Sequence, residues 1–363
     1  MRPHHGQTID VESLDDFRAR VAAGARSMYG WHLQSLDLTG QSDAIRALDV
    51  AGALFLGCVL NRPDEESVRE RGALVFPQVP GSPVDSYRPA LYSARELYAG
   101  IENGYETTLD ACAYAWSRQP RSRDLTLAQA LHDHAIDDAL AAERAGRRVV
   151  GIMGGHSLTR GSGPYGDAAR LAHELARAGL TVATGGGPGA MEAANLGAYL
   201  APHAAAELDK ALAMLARVPS FTPSVRDWVG AALDVLDTWP VGADSFGIPT
   251  WHYGHEPPNP FATRIAKYFS NAIREAVLLE YADGGIVFLP GAAGTVQEVF
   301  QDACENYYAD ASSVAPMVLV GNDFWTRELP AWDLLGSLAS ERDMAARLYL
   351  VDTVDEVVPI LAA

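Results

Sequence analysis

Cysteine is scarce in this chain. Its three residues, Cys58, Cys112 and Cys304, are far apart, with no C-x-x-C pair and no Cys/His cluster at zinc spacing. That argues against a disulfide framework and a structural zinc site, and it suits a reducing compartment. Long hydrophobic runs are also missing. The longest of interest, Val50 to Leu60, has 11 residues, against the roughly 20 a helix needs to cross a bilayer. Met1-Arg2-Pro3-His4-His5 lacks the apolar core of a secretory signal, so the expected location is cytoplasmic, with no membrane partner. Basic charge is short as well: 28 Lys and Arg stand against 46 Asp and Glu, for a net charge of −18. A polyanion would be repelled by that mean field, and the densest basic stretch, Arg118 to Arg123, is a short Pro-containing linker. Nucleic acid polymers are therefore not expected partners.

The chain has 363 residues, 48% hydrophobic and 20% charged, enough for about two domains with sizeable cores. Its character changes near residue 146. Residues 1–146 read as an α+β region. Short apolar pieces alternate between Gly30 and Leu60, without a fixed period, and helices are expected over Leu91 to Ser117 and Thr126 to Ala145. From Arg147 the text becomes strand, Gly-rich loop, helix, and repeats. Strands are expected at Arg148–Met153, Leu180–Ala183, Phe246–Tyr253, Gly285–Leu289 and Pro316–Val320. Helices are expected at Asp167–Ala178, Ala190–Leu200 and Phe261–Ala282, with a helical insertion over about 201–240. This alternation predicts an α/β fold, a doubly wound Rossmann-like parallel sheet over residues 147–363. Ligands of such sheets bind beyond the carboxyl ends of the strands.

The Gly-rich segments fall at those ends. Glycine lets the backbone approach a ligand, and the following helix offers free N–H groups and a positive dipole end suited to phosphate. The literal G-x-G-x-x-G at Gly161–Gly166 starts too far beyond its strand for a dinucleotide fingerprint. Gly185-x-Gly187-x-x-Ala190 meets the relaxed form, with Glu207 or Asp209 as the later acid, so an NAD-dependent oxidoreductase stays open. Thr295 and Glu298 form T-x-x-E, which reads either as a helix-capping box or as a phosphate donor followed by a carboxylate kept ionised by the dipole.

Leu289-Pro290-Gly291-Ala292-Ala293-Gly294-Thr295-Val296-Gln297-Glu298 resembles the PGGxGTxxE motif of the LOG ("lonely guy") nucleotide phosphoribohydrolases, long described as lysine decarboxylases. Gly185-Gly186-Gly187-Pro188-Gly189-Ala190-Met191-Glu192 is similar to their second signature, and Val150 to Gly155 to their first strand and loop. The resemblance covers about residues 147–352. It implies hydrolysis of the N-glycosidic bond of a nucleoside 5′-monophosphate to free base and ribose 5-phosphate, without cofactor or metal. By the same likeness Glu298 is the catalytic carboxylate and Arg274 the catalytic arginine, with Arg264 the alternative. The nucleotide would lie on Gly154, Gly155, Gly186, Gly187, Gly189, Met191, Glu192, Gly291, Ala292, Gly294 and Thr295. A homodimer or higher homo-oligomer is implied too, and the spacing points to the longer bacterial-type subfamily acting on purine or pyrimidine monophosphates.

One departure stands out. Ala292 replaces a family glycine, adding a Cβ where backbone approaches phosphate, and this favours the alternative of a non-catalytic nucleotide carrier. His252 and His255 read as loop packing or base contacts rather than metal ligands, and Asn259 as a pocket-lining residue. His132 and His134 read as solvent-facing. Trp228, Trp239, Tyr307, Tyr308 and Trp325 read as core or interface, and residues 1–146 as regulatory or oligomerising.

Overall fold

The computed structural model describes residues 8–252 and 256–362. The chain divides into two compact units. One comprises Met1–Ala90 with Ala115–Leu140, the other Leu91–Tyr114 with Ala141–Ala363.

The first unit is a repeat. β1 (Ile9–Val11), α1 (Leu14–Ala22), β2 (Trp31–Gln34), α2 (Ser42–Ala47), β3 (Leu54–Leu56), α3 (Arg62–Glu70) and β4 (Leu74–Phe76) follow one another. The four strands are parallel and stacked in chain order. Ile9 lies opposite Trp31, His32 opposite Leu54, and Leu54 opposite Leu74, steps of 22, 22 and 20 residues. Val11, Leu33, Phe55 and Val75 form one buried row across the ladder; full burial of each contributes about 1.5–3 kcal/mol. The lack of a fixed period expected from the apolar residues is thus corrected. The buried strand residues share a period of 20 to 22 residues, and a glycine before each of three strands repeats with them. Gly30, Gly52 and Gly72 all have positive φ, at 75°, 74° and 90°. Their backbones stack, Gly30 N–H donating to Gly52 and Gly52 N–H to Gly72 at 3.2 and 3.1 Å.

The helix expected over 91–117 is broken. α4 (Ala94–Leu97) is one turn, Gly100 and Gly104 interrupt at positive φ, and α5 (Leu109–Ser117) follows. α6 (Arg123–Arg144) comes next. On it His134 is exposed, but His132 is fully buried against Asp133, which corrects its expected solvent-facing position.

The second unit carries the parallel sheet. In chain order it runs β5 (Val149–Met153), α7 (Gly163–Arg177), β6 (Thr181–Thr184), α8 (Ala190–Tyr199), α9 (Ala205–Leu215), α10 (Val225–Thr238), β7 (Phe246–Gly247) and β8 (Arg264–Ile265). It continues with α11 (Asn271–Tyr281), β9 (Ile286–Phe288), α12 (Ala293–Tyr308), β10 (Met317–Val320), α13 (Trp332–Ala339), β11 (Leu348–Val351) and α14 (Val357–Leu361). The strand order is β11-β10-β9-β5-β6-β7-β8, all pairs parallel. This is the doubly wound α/β sheet. Every residue of β5, β9 and β10 is buried, as expected for strands covered on both faces. Two elements differ from expectation: β7 spans two residues only, and the helix expected from Phe261 starts at Asn271 because Arg264–Ile265 pairs with β7 as β8. Tyr92 closes both bonds of a bridge with Ile265, so residues 91–114 strap that edge. Among the described residues no helix is long and apolar enough to cross a membrane.

Candidate functional site

The winding of the sheet reverses between β5 and β9, because the chain leaves β5 toward β6 on one side and returns to β9 on the other. A crevice opens at such a switch point. Here it is a cavity of about 410 Å³ lined by the loops that follow β5, β6, β7 and β9, with the first turns of α11 and α12.

Thr184, Asn195, Ser245 and Asn259, all buried, hold the β6 loop. Thr184 Oγ1 donates to Asn195 Oδ1 at 2.7 Å and accepts from Gly186 N–H at 3.0 Å; Asn195 Nδ2 donates to Ser245 Oγ at 3.0 Å. Asn259 N–H and Nδ2 donate to the carbonyls of Gly186 and Gly187 at 2.8 and 3.1 Å. Asn259 is therefore a fully used core residue behind the loop, not a pocket-lining one. The loop ends at Gly189, whose φ of 75° and ψ of −129° only glycine adopts readily. A Cβ there would stand 2.5 Å from the Gly155 carbonyl oxygen. Gly189→Ala is expected to destabilise by about 1–3 kcal/mol or more, read as a fall of several degrees in thermal midpoint; an unchanged midpoint would contradict the packing.

Of the expected site residues, the structure brings Gly154, Gly155, Gly187, Met191, Ala292, Gly294, Thr295, Arg274 and Glu298 to this one cavity. Gly186 and Gly189 shape the loop behind it. Gly291 packs on Thr295, where an added Cβ would lie 2.1 Å from Oγ1. Glu192 is elsewhere: it is buried and ion-paired with Arg160, whose Nε lies 3.0 Å from Oε1 and whose guanidinium also covers Trp228. Arg264 pairs with Glu143 and Asp244 and does not line the cavity. Glu207 and Asp209, on α9, are engaged by Lys210 with Trp239 and by Arg170. His252 is exposed, and His255 lies outside the described residues. Trp228, Trp239 and Trp325 are buried, whereas Tyr308 is 81% exposed. Among the described residues no group of His, Cys, Asp and Glu could hold a metal ion.

α12 begins at Ala293 with Ala292 as its N-cap and no side-chain cap. Thr295 therefore sits inside the first turn, and the capping-box reading of Thr295 and Glu298 does not hold. The first amides of a helix have no intrahelical acceptor. Here those of Ala293, Gly294 and Thr295 belong to residues that line the cavity. Ala292 has φ of −108° and ψ of −153°, extended backbone that alanine takes without strain.

Arg274 is buried, and its Nη1 reaches Glu298 Oε1 at 3.4 Å, a long contact. Its Nη2 donates to Asn271 Oδ1 at 3.2 Å, and its Nε has no partner. That Nε is itself buried, so its unmet N–H does not open on the cavity. Burial pushes the Glu298 carboxyl up to about 7; the Arg274 guanidinium opposes that rise and Glu275 adds to it. The dipole at the start of α12 does not keep it in the ordinary carboxylate range, because desolvation outweighs it. Sequence reasoning missed Glu275, Gln297, His156, Thr250 and Glu256, which also line the cavity. His156 Nδ1 lies 3.7 Å from Glu256 Oε1.

Residues 236–361 match the family model described as "Possible lysine decarboxylase". That stretch holds both Arg274 and Glu298, and the match bears out the resemblance at the Leu289–Glu298 motif; the segments at 150–155 and 185–192 lie outside it. Comparison with curated proteins finds no match. A similar solved structure is the molybdenum cofactor binding protein from the phototrophic bacterium Rippkaea orientalis, at 16% identity and a TM-score of 0.36, covering 60% of this chain and 96% of that one.

Proposed function

We propose that this chain, whose residues 236–361 match the lysine-decarboxylase-like (LOG) family, hydrolyses the N-glycosidic bond of a nucleoside 5′-monophosphate. One observation carries the reading. The open amides of α12, the Arg274 guanidinium and the high-pKa carboxyl of Glu298 converge on one cavity at the sheet's switch point.

The phosphate would dock on the amides of Ala293 to Thr295, where helix dipole and N–H groups favour an anion. This aims C1′ of the ribose at Glu298. The C1′–N bond breaks with its electron pair passing to the base, which takes up a proton. The oxocarbenium-like sugar is stabilised by the Glu298 carboxylate. Water adds through oxygen to C1′, and its proton passes to Glu298, which hands it on to the departing base and returns to the carboxylate. The products are free base and ribose 5-phosphate. Arg274, a fixed fork of donors, holds sugar or phosphate oxygens through the change. The reading includes the longer bacterial-type subfamily, a homodimer or higher assembly, a cytoplasmic setting, and a regulatory or assembling role for residues 1–146. Light scattering of the purified protein checks the assembly; a monomer at micromolar concentration would remove it.

The test is chromatography for free base after incubation with a panel of purine and pyrimidine nucleoside monophosphates. Release of base with equimolar ribose 5-phosphate is the expected result. A second reading, a nucleotide carrier, is favoured by Ala292 at the rim of the cradle. It expects tight binding without turnover, and it expects Ala292→Gly to switch turnover on.

A further inference from the structure

The first turn of α11 brings a second carboxylate to the cavity. Glu275 lines it next to Arg274, with its side chain 12% exposed. Each oxygen is held by one side-chain amide: Oε1 accepts from Asn271 Nδ2 at 2.7 Å, and Oε2 from Gln297 Nε2 at 2.6 Å. The two clamps come from α11 and α12, so the carboxylate plane is fixed from both helices that frame Arg274 and Glu298. Arg274 stands 3.9 Å from Oε1, beyond hydrogen-bond range. A carboxylate oxygen has about two acceptor positions. Each oxygen of Glu275 therefore keeps one open, on a rigid group facing the cavity.

Two adjacent acceptors of this kind match a vicinal diol, whose two O–H groups can each donate to one oxygen. A ribose with its phosphate at α12 and its C1′ at Glu298 has two such groups left, the 2′- and 3′-hydroxyls. Glu256, another carboxylate of the cavity, stands on a different wall, after β7, with His156 beside one oxygen. We propose that Glu275 accepts the 2′- and 3′-hydroxyls of the substrate ribose, and so selects ribonucleotides over 2′-deoxyribonucleotides. This rests on the hydrolase reading of the cavity.

The experiment is calorimetric titration of the full-length protein with ribose 5-phosphate and with 2-deoxyribose 5-phosphate, alongside base release from AMP and from its 2′-deoxy counterpart. Losing a hydrogen bond to a charged group is worth about tenfold or more in affinity. The wild type is expected to prefer the ribose ligand by at least that factor. Glu275→Gln, near-isosteric but with a single acceptor oxygen, is expected to shrink the preference to about threefold or less, and Glu275→Ala to abolish it, each with an unchanged melting profile. A preference retained in both variants overturns the assignment, as does a wild type that binds the two sugars equally or binds neither. Preference for ribose without base release from any monophosphate supports the diol site and overturns hydrolysis alone. Base release from both nucleotides at equal rates leaves hydrolysis standing and removes Glu275 from selection.

Discussion

Glu298→Gln is expected to leave the protein folded and to lower base release by about 10²–10⁴-fold or more, the range for removing a positioned base. The pH profile sharpens the test. In the free enzyme the Glu298 carboxyl is raised to about 7 by burial. As a base it works only when ionised, so kcat/KM should rise with pH through about 7 and level off above it. An acid in that position would give the mirror image, a fall through the same region. Arg274→Met removes the guanidinium that opposes the rise and should move the limb to higher pH. Full activity in Glu298→Gln, or a flat profile from pH 5 to 9, would remove this carboxyl from the chemistry.

The same residue changes the direction of the stability argument. A carboxyl with a folded pKa above its unfolded value binds more protons when folded. Its contribution is complete below the ordinary carboxylate range near 4.5 and is lost as pH rises through about 7. The site is therefore least comfortable with itself at the pH where it is most active. An arriving phosphate adds negative charge close to it, and the positive charge of Arg274 at the same cavity offsets that.

How much of this was legible in the sequence depended on what kind of signal each part leaves. Buried parallel strands leave continuous apolar runs, so β5, β6, β9 and β10 were found, and the glycine loops beyond them were read at the correct strand ends. β8 leaves almost nothing. It is two residues long at the sheet edge, one of them Arg264, and its existence depends on the β7 backbone beside it. The β-repeat of the first unit was hidden for a different reason: its strands are three or four residues long, so the repeating apolar row is one residue per strand, and the glycines before three of them repeat with it. Site residues on the motif loops were legible because a loop's place follows from its strand. Glu275 was not, since its role comes from clamps on both helices, and the one on α12, Gln297, lies 22 residues away in sequence. Glu192 shows the converse. It sits inside a recognised signature, yet the fold spends its charge on Arg160.

Lys267→Met is expected to cost about 3–5 kcal/mol, because it leaves the buried Asp110 carboxylate without its cation. The two side chains are each 2% exposed and in direct contact. Asp110 Oδ1 also accepts from Trp251 Nε1 at 2.9 Å, and Oδ2 from the Tyr105 hydroxyl at 2.7 Å. Trp251 is stacked on Phe269 with ring centroids 4.4 Å apart, and Lys267 Nζ lies 5.1 Å from its ring centre. This cluster fixes the segment after β7 whose Pro249 and Thr250 line the cavity, since Tyr268 N–H donates to Pro249 and Trp251 N–H to Tyr268. Burial already pulls the Lys267 ammonium below its ordinary pKa, with Asp110 opposing. The pair is thus costly to assemble and costlier to break on one side. Lys267→Met with Asp110→Asn should therefore be less destabilised than the sum of the two single variants, a coupling of about 1–3 kcal/mol by double-mutant cycle. Circular dichroism during thermal unfolding of the four proteins reads it. If Lys267→Met melts within about a degree of the wild type, a shift far too small for a loss of that size, the cluster does not lock the wall.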